Sequence, residues 1–347
     1  MHSTISKEPI STLAIDLAKS SFHLHGADTS GHQVVSKPVS RQKLFAYVAQ
    51  LPPCTVVMEA CGGANYFARQ FSEQGHSVKL IAPQFVKPFV KSNKSDAADA
   101  QAICEAAQRP TMRYVQHKSI NQQDIQSIHR ARSLVKSQRV ALSNQIRGLL
   151  SEYGIVFPVG LSVLRKQIVE LLSGTDRLTP LFIEMLTHHY GTLCHLDAEI
   201  EFFDRKIDHI ARADERCRRL MTIPGIGPIA ATALLVALGD GSSFASGREA
   251  AAYLGLVPRQ HSTGGRSNLL GISKRGDKYL RSLLIHGGRT VVLHAAKHDD
   301  YRSQWITEVA QRRNVNIASV AVANKNVRTA WALLTRNSEY KTTPLAA

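Results

Sequence analysis

Leu13-Ala14-Ile15-Asp16-Leu17 is an apolar run with one carboxylate set inside it, and it decides how the N-terminal third is read. Residues 12–17, 21–27 and 33–39 have strand length and strand composition, and Asp28-Thr29-Ser30-Gly31 supplies a turn joining the last two as a hairpin. A helix is expected over 41–50, stopped by Pro52-Pro53. Cys54-Thr55-Val56-Val57-Met58 is a β-branched apolar run suited to a buried strand. Gly62-Gly63 opens a helix to about residue 74, residues 76–82 form another strand, and a last helix begins near Ser95. The order β-β-β-α-β-α-β-α predicts an α/β domain: a mixed sheet with helices packed on it.

The 347 residues leave room for roughly two or three domains, and 44% hydrophobic content is enough for a real core. Lys and Arg number 43 against 27 Asp and Glu, a net charge of +16 that points to a polyanionic partner, nucleic acid before membrane surface. The longest apolar run, 229–238, is far shorter than the ~20 residues that span a bilayer. Residues 1–11 are polar and lack the apolar core of a signal peptide. Five cysteines without a C-x-x-C pair read as reduced thiols of an intracellular chain, neither disulfide framework nor zinc site.

Beyond the sheet domain (1–109) the period changes. Ile128, Ala131, Val135, Leu142, Ile146 and Leu149 recur at threes, fours and sevens, so 110–220 reads as a helical, coiled-coil arm, folded back on itself or paired with another subunit. From 109 to 150 the chain carries eight basic residues and one acid, Asp124. A solvated helix face usually mixes both signs, so Arg130, Arg132, Lys136 and Arg139 are expected to meet phosphates. A mainly helical C-terminal domain (221–339) follows, with 340–347 expected as a disordered tail.

Four acids stand out. Asp16 interrupts an apolar strand, where an unpaired charge is expensive. Glu59 ends the buried strand, and Asp96 and Asp99 share one face of a first helical turn. Taken singly they have structural explanations: a helix-terminal charge for Asp96 with Ser95 as cap, a solvated strand end for Glu59. Together they suit Mg²⁺ or Mn²⁺, because clustered carboxylates repel until a hard cation neutralises them. Paired ions of this kind serve phosphodiester cleavage and exchange.

The element order with these acids resembles the RNase H/RuvC nuclease fold. Ala14-Ile15-Asp16-Leu17-Ala18-Lys19, Met58-Glu59-Ala60-Cys61-Gly62-Gly63 and Lys94-Ser95-Asp96-Ala97-Ala98-Asp99-Ala100 resemble the motifs of the RuvC-like DEDD transposases of insertion sequences, the IS-one-ten and IS-eleven-eleven family. Ile223-Pro224-Gly225-Ile226-Gly227, Gly255-Leu256-Val257-Pro258-Arg259 and the segment from Ser273 to Arg281 match in the same order, so the likeness covers nearly the whole chain. The resemblance implies a bacterial, cytoplasmic, nucleoid-associated recombinase acting on donor and target DNA. It also implies guidance by a non-coding bridge RNA and dimers that pair into a tetramer. In that family a serine of the C-terminal domain is a covalent nucleophile beside the acids. Ser262 is the matching position, with Ser267 and Ser273 as alternatives.

The residues themselves leave more open. Gly225 and Gly227 lead into a helix and either expose N–H groups to a phosphate or form an ordinary turn. Ser262 precedes Gly264-Gly265 in what reads as a loop flanked by Arg259 and Arg266; it is a nucleophile only if something activates it, and otherwise contacts a turn or a phosphate. Lys274, Arg275, Lys278 and Arg281 on the following helix form a phosphate-facing or a merely solvated surface. His286, His294 and His298 lack a carboxylate pattern for a metal site. A Holliday-junction nuclease that uses water, or a non-catalytic nucleic-acid-binding protein, would carry much of the same pattern.

Overall fold

The computed structural model describes residues 9–91 and 95–341 and divides into two compact units, 1–121 and 122–347.

The first unit is built on a six-stranded sheet. Its elements are β1 (Thr12–Asp16), β2 (Ser21–Ala27), β3 (Gln33–Ser40), α1 (Arg41–Ala49), β4 (Thr55–Glu59), α2 (Ala64–Glu73), β5 (Ser77–Ile81), a short α3 (Pro83–Val86), α4 (Asp96–Ala107) and β6 (Tyr114–Val115). The strand order is β3-β2-β1-β4-β5-β6. β1–β2 and β2–β3 pair antiparallel, β1–β4 and β4–β5 parallel, and β6 closes the edge antiparallel to β5. The eight expected elements form in the expected order. β6 is an addition to them, because two residues carry no periodicity; it keeps the chain with the sheet past residue 109.

β1 and β4 are buried on both faces, as their unbroken apolar runs require. Leu13, Ile15, Val56 and Met58 face Phe67, Ala68 and Phe71 of α2 with Leu44 and Val48 of α1. Ala14 and Val57 face Ala102, Ile103 and Ala106 of α4. Small alanines on both surfaces let α4 lie close to the sheet. Its C-terminal end sits at the β2–β3 turn, where a methyl group on Gly31 would meet the Gln108 side chain at 3.1 Å. That turn is at the end of the sheet where β1 begins, since Thr12 pairs with Ala27. The first turn of α4 therefore points to the end where β1 and β4 finish.

The second unit is helical apart from one ribbon. It contains α5 (Ile120–Ser151), α6 (Leu161–Leu172), α7 (Pro180–Ala213), α8 (Glu215–Met221), α9 (Pro228–Leu238), α10 (Gly247–Tyr253), β7 (Pro258–Thr263), β8 (Arg266–Ile272), α11 (Lys278–His294), α12 (Tyr301–Arg312) and α13 (Val315–Arg336). The arm is folded back within one chain: Ile146, Leu150, Leu164, Ile168, Phe182 and Leu186 share a core. α5 and α7 run antiparallel, with Arg132 paired to Asp204 and Arg139 to Asp197. Asp214 ends α7 and caps α8 through Arg216 and Cys217 N–H groups.

The remaining helices enclose a separate core of Leu220, Leu234, Leu284 and Val327. The Pro224-Gly225 turn presses directly on α11: Gly225 has φ +89°, and a methyl group there would come within 2.8 Å of the Gly287 carbonyl oxygen. Tyr340 is the first residue of the segment expected as a tail. Tyr340 packs against this core and its hydroxyl accepts from Arg302 Nη1 at 3.1 Å. The rest of that segment, 342–347, lies outside the described residues, as does Lys94.

Candidate active site

The sheet places the first two acids side by side. Ile15 is in register with Met58 on the parallel neighbour, so Asp16 and Glu59, each the next residue, end adjacent strands together. Both are half-buried, as is Asp99, while Asp96 is exposed. Ser95 caps α4, its Oγ accepting from the Ala98 N–H at 3.2 Å, and this fixes the turn that carries Asp96 and Asp99 at the same end of the sheet. Cys61 reports on the shared space. Burial pushes its thiol up, Glu59 adds to the shift and Asp16 adds further, so both carboxylates act on one sulfur just past β4.

The oxygen-only donor set has the chemistry of a Mg²⁺ or Mn²⁺ site. Among the described residues no three Asp, Glu, His or Cys side chains stand close enough to share an ion. The donor chemistry fits such an ion, but the side chains would have to draw together around it.

Ser262 lies on a ribbon, not in the loop expected from Gly264-Gly265. Those two glycines, at φ +56° and +76°, make the tight turn between β7 and β8. Ser262 pairs across the ribbon with Ser267, and Gln260 with Leu269, so these four share one face. His261, Thr263, Arg266 and Asn268 occupy the other, which moves Arg266 away from the serine it was expected to flank. Gln260 is a site residue that sequence reasoning overlooks: its Nε2 donates to Ser262 Oγ at 2.6 Å and to Ser267 Oγ at 3.4 Å. Reading 258–272 as a Gly-Gly hairpin would have exposed that i, i+2 relation. Ser273 sits at the ribbon's foot, its N–H donating to the Val257 carbonyl at 2.8 Å.

The expected phosphate contacts divide into two groups. Arg130, Lys136, Arg259, Arg266, Lys274, Arg275 and Lys278 are exposed. Lys136 stands beside two guanidiniums, and desolvation together with Arg132 and Arg139 lowers its pKa. Arg132, Arg139 and Arg281 need correction: they turn inward. Arg132 is buried against Asp204, and Arg139 shares Asp197 with Arg165. Arg281 is 7% exposed and holds the Leu254 and Arg275 carbonyls at 3.2 and 2.7 Å. The one-sided charge of α5 is partly answered by acids some sixty to seventy residues later in the chain, which a local count cannot register. Gly225 likewise has a packing role, whereas Gly227 is open, with nothing near its Cβ direction.

A buried chain links α5 to α9 and to the first turn of α11. His129 lies between Tyr279 Oη at 3.0 Å and Thr232 Oγ1 at 2.9 Å, and Thr232 in turn donates to the Pro228 carbonyl. His129 therefore gives Nε2–H to Thr232 and accepts from Tyr279 at Nδ1. Burial, then Arg132, lowers its pKa to about 4.

Two family models match the chain, one after the other. Residues 13–155 match a transposase family model, DEDD_Tnp_IS110, and residues 217–303 match one described as Transposase IS116/IS110/IS902 family. A probable family 20 transposase of Pseudomonas aeruginosa is 48% identical over 96% of this chain and 99% of its own. The transposase for insertion sequence element IS1111A of Coxiella burnetii is 43% identical over 97% and 93%. That for IS1328 of Yersinia enterocolitica is 42% identical over 95% and 98%. With two family models in sequence and near full-length relatives, the chain belongs to the IS110/IS1111 family of insertion-sequence transposases.

Proposed function

We propose that this transposase is a metal-dependent DNA recombinase in which Asp16, Glu59, Asp96 and Asp99 hold Mg²⁺ or Mn²⁺ and Ser262 is the nucleophile. The observation that carries the reading is the β1–β4 register, which sets Asp16 beside Glu59 at the sheet end to which the first turn of α4 points. Bound there, a divalent cation would supply charge neutralisation and polarisation of a phosphoryl oxygen. Ser262 Oγ would attack phosphorus: the Oγ–P bond forms, one bond from phosphorus to a deoxyribose oxygen breaks, the serine gives up its proton and the freed sugar oxygen takes one. Attack by a second strand's sugar oxygen on that adduct would restore the serine and join the strands without consuming a nucleotide. The exposed position of Ser262 at the end of a narrow ribbon, beside a two-glycine turn, suits approach to a phosphate held elsewhere.

In this reading 1–109 is the RuvC-like nuclease part, 110–220 a helical arm and 221–339 the part that delivers the serine. Donor and target DNA are the substrates. Exposed Arg130, Lys136, Arg259, Lys274, Arg275 and Lys278, with Gly227 leading into α9, are the candidate phosphate contacts. The guide RNA, the dimer-to-tetramer assembly and the nucleoid location rest on the family resemblance.

A nuclease using water is the second reading. It is favoured by one observation: the side chain bonded to Ser262 among the described residues is an amide donor, Gln260, and not a base. The metal half of the proposal is tested by strand exchange on donor and target DNA with Mg²⁺, with Mn²⁺ and in excess EDTA. Exchange should need the ion, and Asp16→Asn should abolish it while leaving nucleic-acid binding intact. Undiminished exchange in EDTA, or a fully active Asp16→Asn protein, would contradict it.

A further inference from the structure

A cavity of about 370 Å³ lies beside the Pro224-Gly225 turn, lined by residues of α11, α12 and their connection. Val291, Ala295 and Ile306 give it an apolar side, and Arg302, Tyr340, His294 and His298 also line it. Its size is that of small-ligand sites, which start at roughly 300 Å³.

Arg302 is what makes the cavity unusual. It is only 8% exposed, and its partners are neutral: Tyr340 Oη on Nη1, Asn326 Oδ1 and the Pro224 carbonyl on Nη2. Its Nε is buried without a hydrogen-bond partner, and no carboxylate pairs with it among the described residues. The one acid lining the same cavity, Asp300, is already engaged. It caps α12, taking the Arg302 and Ser303 N–H groups at 3.0 and 3.1 Å and the Ser303 hydroxyl at 2.6 Å. Further positive charge stands near: burial, then Arg302 and Arg328, lower the pKa of the Lys325 ammonium, which lies over the Trp305 ring. A buried guanidinium without a counter-ion is costly, and here an open cavity adjoins it.

We infer that this cavity binds one unpaired nucleotide of a nucleic-acid strand, its phosphate answering Arg302 and its base lying on the apolar side formed by Val291, Ala295 and Ile306. Mixed chemistry favours a nucleotide over a bare anion, because a lone phosphate would leave the apolar side wet, and over an apolar ligand, because that would leave Arg302 uncompensated. The Tyr340 hydroxyl, a neutral partner on Nη1, is the group a phosphate oxygen displaces. The pocket shares no residue with the four acids or with Ser262, and its function is to hold a strand, not to cut it.

The test is calorimetric titration of the whole protein with thymidine 5′-monophosphate, thymidine and inorganic phosphate. The monophosphate should bind at least about tenfold more tightly than either part. Thr290→Trp, an exposed lining position whose indole would fill the space, should remove binding while the circular dichroism stays native. Tyr340→Phe should tighten binding a few-fold by removing the competing hydroxyl. Binding that survives Thr290→Trp, equal affinity for inorganic phosphate, or no binding by folded wild type would each overturn the inference. None of these titrations needs metal or Ser262, so their failure would leave the recombinase reading standing.

Discussion

The two places where chemistry is expected are built in opposite ways. Asp16 and Glu59 end strands that are buried on both faces, with Ile15 and Met58 immediately before them at 0% exposure. The backbone there cannot shift without disturbing a core that includes Phe22, Phe67 and Phe71. Ser262 stands on a two-stranded ribbon exposed from residue 258 to 271. A lone hairpin is marginal in water, so this one takes its support from its foot and from whatever it meets. The acids are positioned by a buried core; the serine stands on an exposed ribbon.

That contrast can be broken at either end. The largest effect is expected for Glu59→Gln, which should lower strand exchange by ~10²-fold or more with little change in melting temperature, since the site is half-buried and its fold lies behind it. A mutant as active as wild type would remove this end of the sheet from the chemistry.

The buried His129 chain should respond to acid. His129 is neutral when folded, with its pKa lowered to about 4, while in the unfolded chain it titrates near 6.5. The unfolded state therefore binds the extra proton first, so the stability is fully present above pH 6.5 and is lost as pH falls from there towards 4. The loss should be about 3 kcal/mol. Urea unfolding at pH 7 and pH 4.5 measures it, and His129→Gln should flatten the dependence. Asp204→Asn, which leaves Arg132 buried without its partner, should cost about 1–3 kcal/mol in the same assay, Asp204 itself being partly exposed.

Smaller still is the separation between inward and outward cations. Replacing Arg130, Lys274, Arg275 and Lys278 with Gln should flatten the salt dependence of duplex binding by up to ~0.9 in slope for each phosphate no longer neutralised, and leave stability unchanged. Arg139→Gln should do the reverse, because its charge is committed to Asp197. On the ribbon, Thr263→Ala or Leu269→Ser should change stability by less than about 0.5 kcal/mol. A large loss would mean that the ribbon is packed, contrary to its exposure.

Much of this was legible in the sequence, and the limits have physical reasons. Five long strands, their order and the capped first turn of α4 follow from apolar runs and turn residues, which are local signals. The ribbon escapes such a reading because Gln260, Ser262, Ser267 and Leu269 form no apolar face; a strand that packs against nothing leaves no hydrophobic period. The inward turn of Arg132 and Arg139 depends on acids distant in the chain, and that of Arg281 on backbone carbonyls, so composition could only report their charge. Asp16 and Glu59 stand out because a carboxylate inside or at the end of a buried strand violates burial rules locally, and Asp96 and Asp99 because they share one face of a capped first turn. Arg302 violates the same rule, but its helix looks amphipathic and ordinary until the neighbouring helices are in place.

The central claim is that a serine on this ribbon becomes covalently joined to DNA, and denaturing electrophoresis of end-labelled DNA after reaction with wild type, Ser262→Ala, Ser267→Ala and Ser273→Ala tests it most directly. A protein–DNA adduct that forms with wild type, Ser267→Ala and Ser273→Ala and vanishes only in Ser262→Ala is the expected result. Active recombination by wild type with no adduct, or an adduct that persists in Ser262→Ala, would contradict it.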